Sequence, residues 1–375
     1  MDRKDAREQL EVLNYKSILI EHPTGYGKSK SAIDYVKKNS KNNQDEKLLI
    51  VVSKRVHKEV WNKELEKWWN DRKIKVEYVT YMYLSIMSIS EYNHYDYIIC
   101  DECHHFTNKS YFNLHKAFSF DYIILLSATV KKDWAAIFAA TLPNYIKHKI
   151  TLREAINANV LPDPEIHLYP LELDNVDKCD EYTVKKGGVK TVVKCTQKAM
   201  IDRLDDKIMY FKMLYLCRKN EIYKNKWLNL CSKRLAKLSE YKEKFILKII
   251  REHKDEKTIT FCNNIAQTER LGHFCINCKN KLSYLYLEQF NNDKIKHITT
   301  CDMLNEGVNL NNCKIGIFAN LTNSDIIIKQ RNGRLLRHKE PVFIIPYYKG
   351  TRDEELMNKM IQDYNKEKIF IKTIK

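Results

Sequence analysis

The chain has 375 residues and a mass of 44.7 kDa; 44% of the residues are hydrophobic and 30% are charged. This composition excludes a disordered chain and is sufficient for two globular domains with separate cores. The 65 Lys and Arg residues outnumber the 48 Asp and Glu residues, which gives a net charge of +17. Such an excess favours a polyanionic partner, with nucleic acid as the first candidate and a lysine-rich genome composition as the alternative explanation.

Targeting segments are not expected from this sequence. Residues 1–5 (MDRKD) are mostly charged, and no apolar run approaches the roughly 18 residues of a membrane span. The 11 cysteines lack the spacing of a disulfide framework and are typical of reduced thiols. The sequence therefore predicts a soluble cytoplasmic protein, in the host cytoplasm if the chain is viral, that acts as a monomer and has no membrane partner.

A glycine-punctuated segment follows the first predicted strand. Residues 6–13 have helical spacing, residues 17–20 (SILI) are typical of a short buried strand, and residues 22–29 (HPTGYGKS) come next. A strand, a glycine-rich turn and a helix in this order place successive backbone N–H groups around one anion. The segment therefore predicts a phosphate-binding loop, and a simple strand-to-helix turn is the alternative.

The residue types of this loop fit a nucleoside triphosphate with Mg²⁺. Gly25 and Gly27 let the backbone approach phosphate oxygens without a Cβ in the way. Lys28 can reach the β- and γ-phosphates, and the hydroxyl of Ser29 can coordinate Mg²⁺. The usual pattern has glycine where His22 stands, so the match is incomplete.

Apolar runs alternate with helical patterns as far as about residue 150. The runs at residues 47–52, 97–100 and 122–126 predict central strands of a parallel sheet that is covered on both faces. Residues 56–69 predict a one-sided helix. The expected buried positions of that helix are Val56, Val60, Leu65 and Trp69. This alternation predicts an α/β domain.

Two adjacent carboxylates follow the predicted strand at residues 97–100. Asp101 and Glu102 would therefore lie at the carboxyl end of a parallel strand, where ligands bind in open α/β sheets. Asp101 could hold Mg²⁺ through water, and Glu102 could orient and deprotonate the water that attacks the γ-phosphate. An acidic pair at a strand end is common, so the prediction depends on the phosphate loop upstream.

A second α/β series begins after a less regular region. Residues 258–261, 315–318 and 342–345, with a further strand around Ile298, predict its strands. We expect domains at residues 1–160 and 161–375, separated near the segment LPDP that begins at Leu161. Within the second domain, residues 175–252 are expected to form a hairpin, turning at two adjacent glycines, and a basic helical segment.

Cysteines in the second domain give only a weak metal signal. His273, Cys275 and Cys278 contain one C-x-x-C pair without a second pair at zinc-ribbon spacing. A zinc site would need the fold to bring Cys262 or Cys301 to this segment.

Six short motifs in a fixed order resemble those of superfamily 2 helicases and translocases of the DExH type. They correspond to residues 23–29 (motif I), 101–104 (motif II), 127–129 (motif III), 258–263 (motif IV), 299–310 (motif V) and 330–337 (motif VI, QRNGRLLR). Because these motifs extend over nearly the whole chain, the resemblance implies two tandem RecA-like domains. Each would be a parallel sheet flanked by helices, with a cleft for ATP between the two.

The resemblance also implies roles for individual residues. Catalytic roles fall to Lys28, Asp101, Glu102, Gln330, Arg334 and Arg337. Nucleotide contacts fall to Gln9, Thr24, Gly25, Gly27, Lys28, Ser29 and Gly307, with Ser29 and Asp101 as Mg²⁺ ligands. Ser127 and Thr129 would couple the nucleotide site to nucleic acid. The two motif VI arginines would act as arginine fingers from the second domain, and a solvated helix face is the alternative.

Two positions, one near the N-terminus and one in motif V, match the family pattern only in part. Gln9 belongs to an incomplete R-x-Q element, and a helix-surface position is its alternative. Asn309 stands where motif V often has aspartate.

Nucleic-acid contacts are implied where strands end and helices begin. The residues concerned are Lys54, Arg55, Thr80 and Asn263. Contacts of this kind hold backbone phosphates, so base-sequence specificity is not expected. For Thr80, capping of a helix is the alternative.

Because the motif V sequence resembles that of phage and repair helicases, the most specific expectation is an ATP-dependent helicase or translocase of this subgroup, acting on DNA rather than RNA. Trp61, Glu64 and Trp68 have the spacing of the Snf2-like branch, which leaves a double-stranded DNA translocase without strand separation as an alternative. Burial in the core is the simpler interpretation of these tryptophans. A nucleic-acid-binding adaptor with an idle NTPase is a further alternative, and the intact set of catalytic residue types argues against it.

Overall fold

A computed structural model describes residues 3–6, 15–89, 92–186, 188–301 and 310–373. The chain divides into two compact units. The first contains Met1–Pro162 and Asp325–Arg334, and the second contains Asp163–Ser324 and Leu335–Lys375. Within the described ranges, no helix combines the length and the apolar character needed to cross a membrane.

The first unit is built around a six-stranded parallel sheet. Its strands are β1 (Ser17–Glu21), β2 (Lys47–Val52), β3 (Lys75–Thr80), β4 (Asn93–Cys100), β5 (Phe118–Ser127) and β6 (Tyr145–Lys149). The order across the sheet is β3-β2-β4-β5-β1-β6, and every pairing is parallel. Its helices are α1 (Lys28–Asn39), α2 (His57–Trp68), α3 (Tyr81–Ile86), α4 (Asn108–Ala117), α5 (Lys132–Thr141) and α6 (Leu152–Asn157).

The central strands bury side chains on both faces of this sheet. Ile18 and Ile20 pack in one apolar cluster and Leu19 packs in another, because successive side chains of a strand point to opposite faces. A strand that is buried on both sides reads as a continuous apolar run. The predicted α/β class, with parallel sheets flanked by helices, is confirmed.

The buried face of α2 differs from the predicted one. His57, Trp61 and Leu65 are its buried positions, whereas Val56 and Val60 are 49% and 42% exposed. The prediction for the two valines was wrong because the large indole of Trp61 gains more from burial than a valine does. The helix therefore turns the stripe that contains Trp61 toward the core.

The second unit contains a seven-stranded parallel sheet. Its strands are β7 (Glu165–Leu171), β10 (Thr258–Phe261), β11 (Cys275–Ile276), β12 (His297–Thr300), β13 (Ile315–Phe318), β14 (Val342–Tyr348) and β15 (Ile369–Ile371). The order is β11-β12-β10-β13-β14-β7-β15, with parallel pairing throughout. The helices α10 (Ile265–Leu271), α11 (Ser283–Asn291) and α13 (Arg352–Ile361) also belong to this unit.

An insertion follows β7 in the second unit. It consists of the antiparallel strands β8 (Asp180–Lys186) and β9 (Val189–Cys195) and the helices α7 (Gln197–Arg218), α8 (Glu221–Tyr241) and α9 (Glu243–Glu252). The predicted hairpin and helical segment are both present. Gly188 has φ +84°, as a tight turn requires, and Gly187 lies outside the described residues.

One helix of the second half of the chain contributes to the first unit. Helix α12 (Asp325–Leu335) lies in sequence between β13 and β14, and its residues 325–334 belong to the first unit. Its last residue, Leu335, packs against Gly316 of β13 in the second unit. Residues of motif VI are therefore placed beside motif I.

Candidate active site

The candidate site lies at one edge of the first sheet. The strands β1, β4 and β5 are parallel, so their carboxyl ends share an edge; Glu21 pairs with Ser127, and Cys100 pairs with Leu125. The phosphate loop follows β1, the Asp101–Glu102 pair follows β4, and Thr129 lies just after β5. The topology therefore brings together residues that are far apart in sequence.

The phosphate loop has a conformation that needs its glycines. Gly25 and Gly27 have φ values of +88° and +103°, in the left-handed region that favours glycine. Gly27 is the residue before the first turn of α1, so the unpaired N–H groups of that turn adjoin the loop. Nζ of Lys28 donates to the carbonyl oxygen of His22 at 3.2 Å, which keeps the ammonium group within the loop.

His22 occupies the position where the usual pattern has glycine, and its ring is fully buried. Its Nε2 lies 2.7 Å from Nδ1 of His148 on β6, and its ring packs edge-on against Tyr26. Burial, with smaller effects of His148 and Lys28, lowers the pKa of His22 to about 3. The imidazole is therefore neutral at pH 7 and adds no charge to the loop.

Asp101 is held by two aromatic side chains. Nε1 of Trp61 donates to Oδ2 of Asp101 at 2.9 Å, and the hydroxyl of Tyr81 donates to its carbonyl oxygen at 2.8 Å. Burial and the negative charge of Glu102 raise the pKa of Asp101, while the bond from Trp61 and the charge of Lys28 oppose that rise. A cation bound next to Asp101 would stabilise its ionised form, which burial and the neighbouring carboxylate disfavour.

Glu102 has a backbone conformation that is uncommon for a residue with a side chain. Its φ is +50°, in the left-handed region, and strain of this kind concentrates at functional sites. Its Oε2 lies 3.3 Å from Nδ1 of His104, which in turn lies 3.0 Å from Oγ of Ser127. Ser127 Oγ donates to the carbonyl oxygen of Thr129 at 2.8 Å. Side-chain and backbone contacts therefore connect motif II to motif III.

The residues present fit a Mg²⁺–nucleotide. Oγ1 of Thr24 is buried without a hydrogen-bond partner among the described residues, although a buried hydroxyl normally has one. Ser29 lies in the first turn of α1, which follows β1, and Asp101 follows β4, which is separated from β1 by β5 in the same sheet. A hydroxyl and a carboxylate are oxygen ligands of the kind Mg²⁺ prefers, and Thr24 offers a further donor to a phosphate.

Helix α12 packs closely against the phosphate loop. Gln330 and Arg334 are 3% and 6% exposed, and a Cβ on Gly333 would lie 2.3 Å from Cβ of Thr24. The structure thus places Gln330 and Arg334 in the same unit as Lys28. Arg337 lies two residues beyond the helix, is exposed and belongs to the second unit.

We expect Gly333→Ala to impair nucleotide binding, because the added methyl group must displace either Thr24 or the helix backbone. Equilibrium binding of a fluorescent ATP analogue should weaken by roughly tenfold, which corresponds to the lower end of the ~1–3 kcal/mol cost of overpacking. Unchanged binding would show that α12 does not pack on the loop in solution. Gly350→Ala is a suitable control. The backbone of Gly350 has a left-handed φ of +66°, so this substitution also costs stability, but its methyl group meets no atom within 4 Å.

The resemblance also singled out three further positions. Gln9, Gly307 and Asn309 lie outside the described residues.

Each residue expected to contact nucleic acid lies at or just after the carboxyl end of a strand in its own sheet. Lys54 and Arg55 are exposed in the turn between β2 and α2. Thr80 caps α3, because its Oγ1 accepts a hydrogen bond from the backbone N–H of Tyr83 at 3.1 Å. In the second unit, Asn263 follows β10 and lines an open depression with Asn264 and Arg270.

Among the described residues of the second unit, the cysteine pair is not part of a group of potential metal ligands. Cys275 Sγ lies 3.2 Å from the carbonyl oxygen of Thr268, and Cys278 is exposed. The one group of three potential ligands within the described ranges is His94, Asp96 and Asp121, at the far end of β4.

Sequence reasoning missed four residues of the site. They are Tyr81, His104, Gly333 and the indole donor of Trp61. His104 and Gly333 lie within motifs II and VI, and Tyr81 follows the predicted contact residue Thr80. Trp61 had been noted only for its spacing with Glu64 and Trp68. The contacts themselves depend on which strands are neighbours, which spacing along the chain does not show.

Two parallel-sheet units and a phosphate loop beside paired carboxylates define a P-loop NTPase of the tandem RecA-like kind. Residues 4–132 match the family "Type III restriction enzyme, res subunit", and residues 241–339 match "Helicase conserved C-terminal domain". The chain belongs to the superfamily 2 helicases. A comparison with proteins of curated function finds no match.

Solved helicase structures share the fold of the whole chain. The Hef helicase domain of Pyrococcus furiosus superposes with a TM-score of 0.58 at 12% identity, covering 95% of this chain and 97% of that one. Dbp5 of S. cerevisiae, bound to RNA and ADP BeF3, gives a TM-score of 0.57 at 12% identity, covering 99% and 89% of the two chains. At this identity the likeness shows the fold alone.

Proposed function

We propose that this protein is an ATP-dependent nucleic-acid helicase or translocase, which couples ATP hydrolysis to movement along, or unwinding of, DNA in preference to RNA. The observation that carries the proposal is the position of Lys28 beside the Asp101–Glu102 pair at one edge of the first sheet. The combination supplies both the groups that bind a triphosphate and the group that activates water. The choice of DNA rests on the resemblance of the motif V sequence to phage and repair helicases.

Each residue of the site has a defined task with ATP as the substrate. The loop N–H groups and Lys28 bind the phosphates. Mg²⁺, held by Ser29 and Asp101, would neutralise charge on the β- and γ-phosphate oxygens. Glu102 accepts a proton from the attacking water. Arg334 stabilises negative charge on the transferred phosphoryl group.

Nucleic acid is held through its backbone phosphates. Lys54, Arg55 and the start of α2 offer cationic and N–H donors in the first unit, and Asn263 offers an amide in the second. Thr80 contributes less directly, since its hydroxyl already caps α3. The backbone character of these contacts predicts binding without base-sequence preference.

The outer half of the α7–α8 hairpin supplies an additional basic surface. Residues 207–231 contain six Lys or Arg residues and one acidic residue. Lys207 lies near Arg203 and Lys233, and burial together with these two like charges lowers its pKa. Trp227 and Tyr215 are stacked there with ring centroids 6.1 Å apart. Cations beside aromatic rings suit a nucleic-acid strand.

We expect a salt-dependent affinity to which this hairpin contributes. Replacing Lys212, Lys219 and Lys226 together by Gln should weaken oligonucleotide binding and lower the slope of log Kd against log salt by roughly 2, since each lost phosphate contact removes about 0.7 to 0.9. The matched control replaces Lys279, Lys281 and Lys294, which are also exposed in the second unit. An equal loss in both triple variants would show that the hairpin has no special part in binding.

A pair of displacement assays tests the proposed function against its alternatives. A forked duplex with a fluorophore and a quencher reports strand separation, and streptavidin on a biotinylated single strand or duplex reports translocation. We expect ATP-dependent release in at least one assay and faster reaction on DNA than on RNA. Translocation on duplex DNA without strand separation would support the Snf2-like alternative. Binding without any ATP-dependent displacement would support the idle adaptor.

The cellular setting is also a proposal. The cysteine content supports action in the reducing cytoplasm, or the host cytoplasm if the chain is viral, and the excess of basic residues supports action on nucleic acid. The proposal takes the acting form to be a monomer. Sedimentation of the purified protein with and without an oligonucleotide tests the monomeric state.

A further inference from the structure

Two helices that begin at the proposed nucleic-acid contacts both donate a hydrogen bond to Asp101. Trp61 of α2 binds Oδ2 at 2.9 Å, and Tyr81 of α3 binds the carbonyl oxygen at 2.8 Å. The donors are 2% and 4% exposed, so water does not compete with them. Asp101 is thus held at its side chain by one helix and at its backbone by the other.

Each donor is closely connected to the contact segment that precedes it. The N–H groups of His57 and Lys58 donate to the carbonyl oxygens of Lys54 and Arg55, at 3.0 and 3.1 Å. Trp61 follows His57 by one helical turn. Tyr81 is the first residue of α3, directly after the cap Thr80. A shift of either segment would therefore move the donor that it adjoins.

We propose that Trp61 and Tyr81 are positioning residues that make Mg²⁺–nucleotide binding at Asp101 respond to nucleic acid held at Lys54, Arg55 and Thr80. The inference rests on the proposed function and adds a route by which substrate binding reaches the ATP site. Because Trp61 occupies Oδ2, it fixes which carboxylate oxygen is available to the metal. Partners of metal ligands commonly determine the geometry and affinity of the metal.

A purely structural role for the two rings is the competing explanation. Both rings fill the core of the first unit, so their removal would destabilise the protein whether or not they position Asp101. Trp61→Phe and Tyr81→Phe remove the donors and keep aromatic bulk. The same helices offer matched controls: Trp68 donates to Glu64 at 2.8 Å, and Tyr83 is 54% exposed.

The test measures equilibrium binding on the full chain and does not depend on catalysis. The affinity of a fluorescent, non-hydrolysable ATP analogue is determined with Mg²⁺, in the presence and absence of a single-stranded oligonucleotide. The ratio of the two Kd values is the coupling factor, which lies at about 5 to 150 in typical coupled systems. We expect Trp61→Phe and Tyr81→Phe to bring the ratio close to 1, and Trp68→Phe and Tyr83→Phe to leave it unchanged.

A second readout separates positioning from folding. Trp61→Phe should raise the Mg²⁺ concentration required for analogue binding by at least about tenfold, as for other partners of metal ligands, while the thermal midpoint confirms a folded chain. If the Phe variant does not fold, a benzothiophene in place of the indole of Trp61 removes only the N–H. A folded donor-less chain with the wild-type ratio and Mg²⁺ requirement overturns the inference.

The wild-type chain distinguishes this inference from the proposed function. If it binds nucleotide and oligonucleotide with a ratio of 1, the coupling is refuted and the proposed function stands. If it binds no Mg²⁺–nucleotide at all, both are refuted.

Discussion

Glu102→Gln should lower the rate of ATP turnover by about 100-fold to 10,000-fold, the usual contribution of a positioned general base. The amide keeps the size of the carboxylate but cannot accept the proton of the attacking water. ATP affinity should change little, since Glu102 works on water and not on phosphate. Steady-state kcat and the Kd for a fluorescent ATP analogue should therefore respond differently.

Lys28→Ala is the complementary variant. Its ammonium group lies in the phosphate loop, so its loss should weaken nucleotide binding itself. Lys30→Ala on the same helix is the control, because Lys30 pairs with Asp34 at 2.5 Å. Equal losses of nucleotide affinity in the Glu102 and Lys28 variants would contradict the separate roles.

Arg334→Ala and Arg337→Ala are expected to reduce kcat more than they reduce ATP affinity. Finger arginines contribute about 10³ to 10⁵ in rate in known cases, and contacts made in the transition state affect turnover more than ground-state binding. We expect a loss of at least about tenfold for Arg337→Ala, a cautious threshold below that range. The loss for Arg334→Ala should be larger, because Arg334 is buried in the first unit and follows Gly333, which approaches Thr24 of the phosphate loop.

Two controls make the arginine prediction specific. Arg352→Ala removes a partly buried arginine that pairs with Glu355 on α13, and its turnover should stay at the wild-type level. Arg334→Lys keeps the positive charge but loses the planar guanidinium group with its several N–H donors. A kcat between those of the wild type and of Arg334→Ala would show that the geometry of the guanidinium matters. Full activity of both alanine variants would exclude motif VI from the chemistry.

The strand positions could be predicted because each central strand buries alternate side chains on two faces. The run at residues 97–100 is apolar throughout for that reason. The buried stripe of α2 could not be predicted from hydrophobicity alone, since Trp61 competes with two valines for the core. Trp61 is buried because its ring is large and because its Nε1 donates a hydrogen bond to Asp101.

The candidate site was predictable in its residue types and less so in its contacts. The roles of Lys28, Asp101 and Glu102 could be predicted from their residue types and their positions within motifs I and II. The approach of Gly333 to Thr24 depends on a helix that lies between two strands of the second sheet in sequence and packs with the first unit in space. The resemblance of residues 330–337 to motif VI implies that α12 approaches the nucleotide, but no local feature of the helix indicates that its residues 325–334 belong to the first unit.

The most direct test of the account is the rate of ATP hydrolysis by the full chain, measured side by side without nucleic acid and with single-stranded DNA, duplex DNA, forked DNA and RNA. We expect Mg²⁺-dependent hydrolysis that at least one DNA substrate stimulates severalfold and that Glu102→Gln abolishes. Hydrolysis that is absent with every substrate, or that no nucleic acid changes, would contradict it.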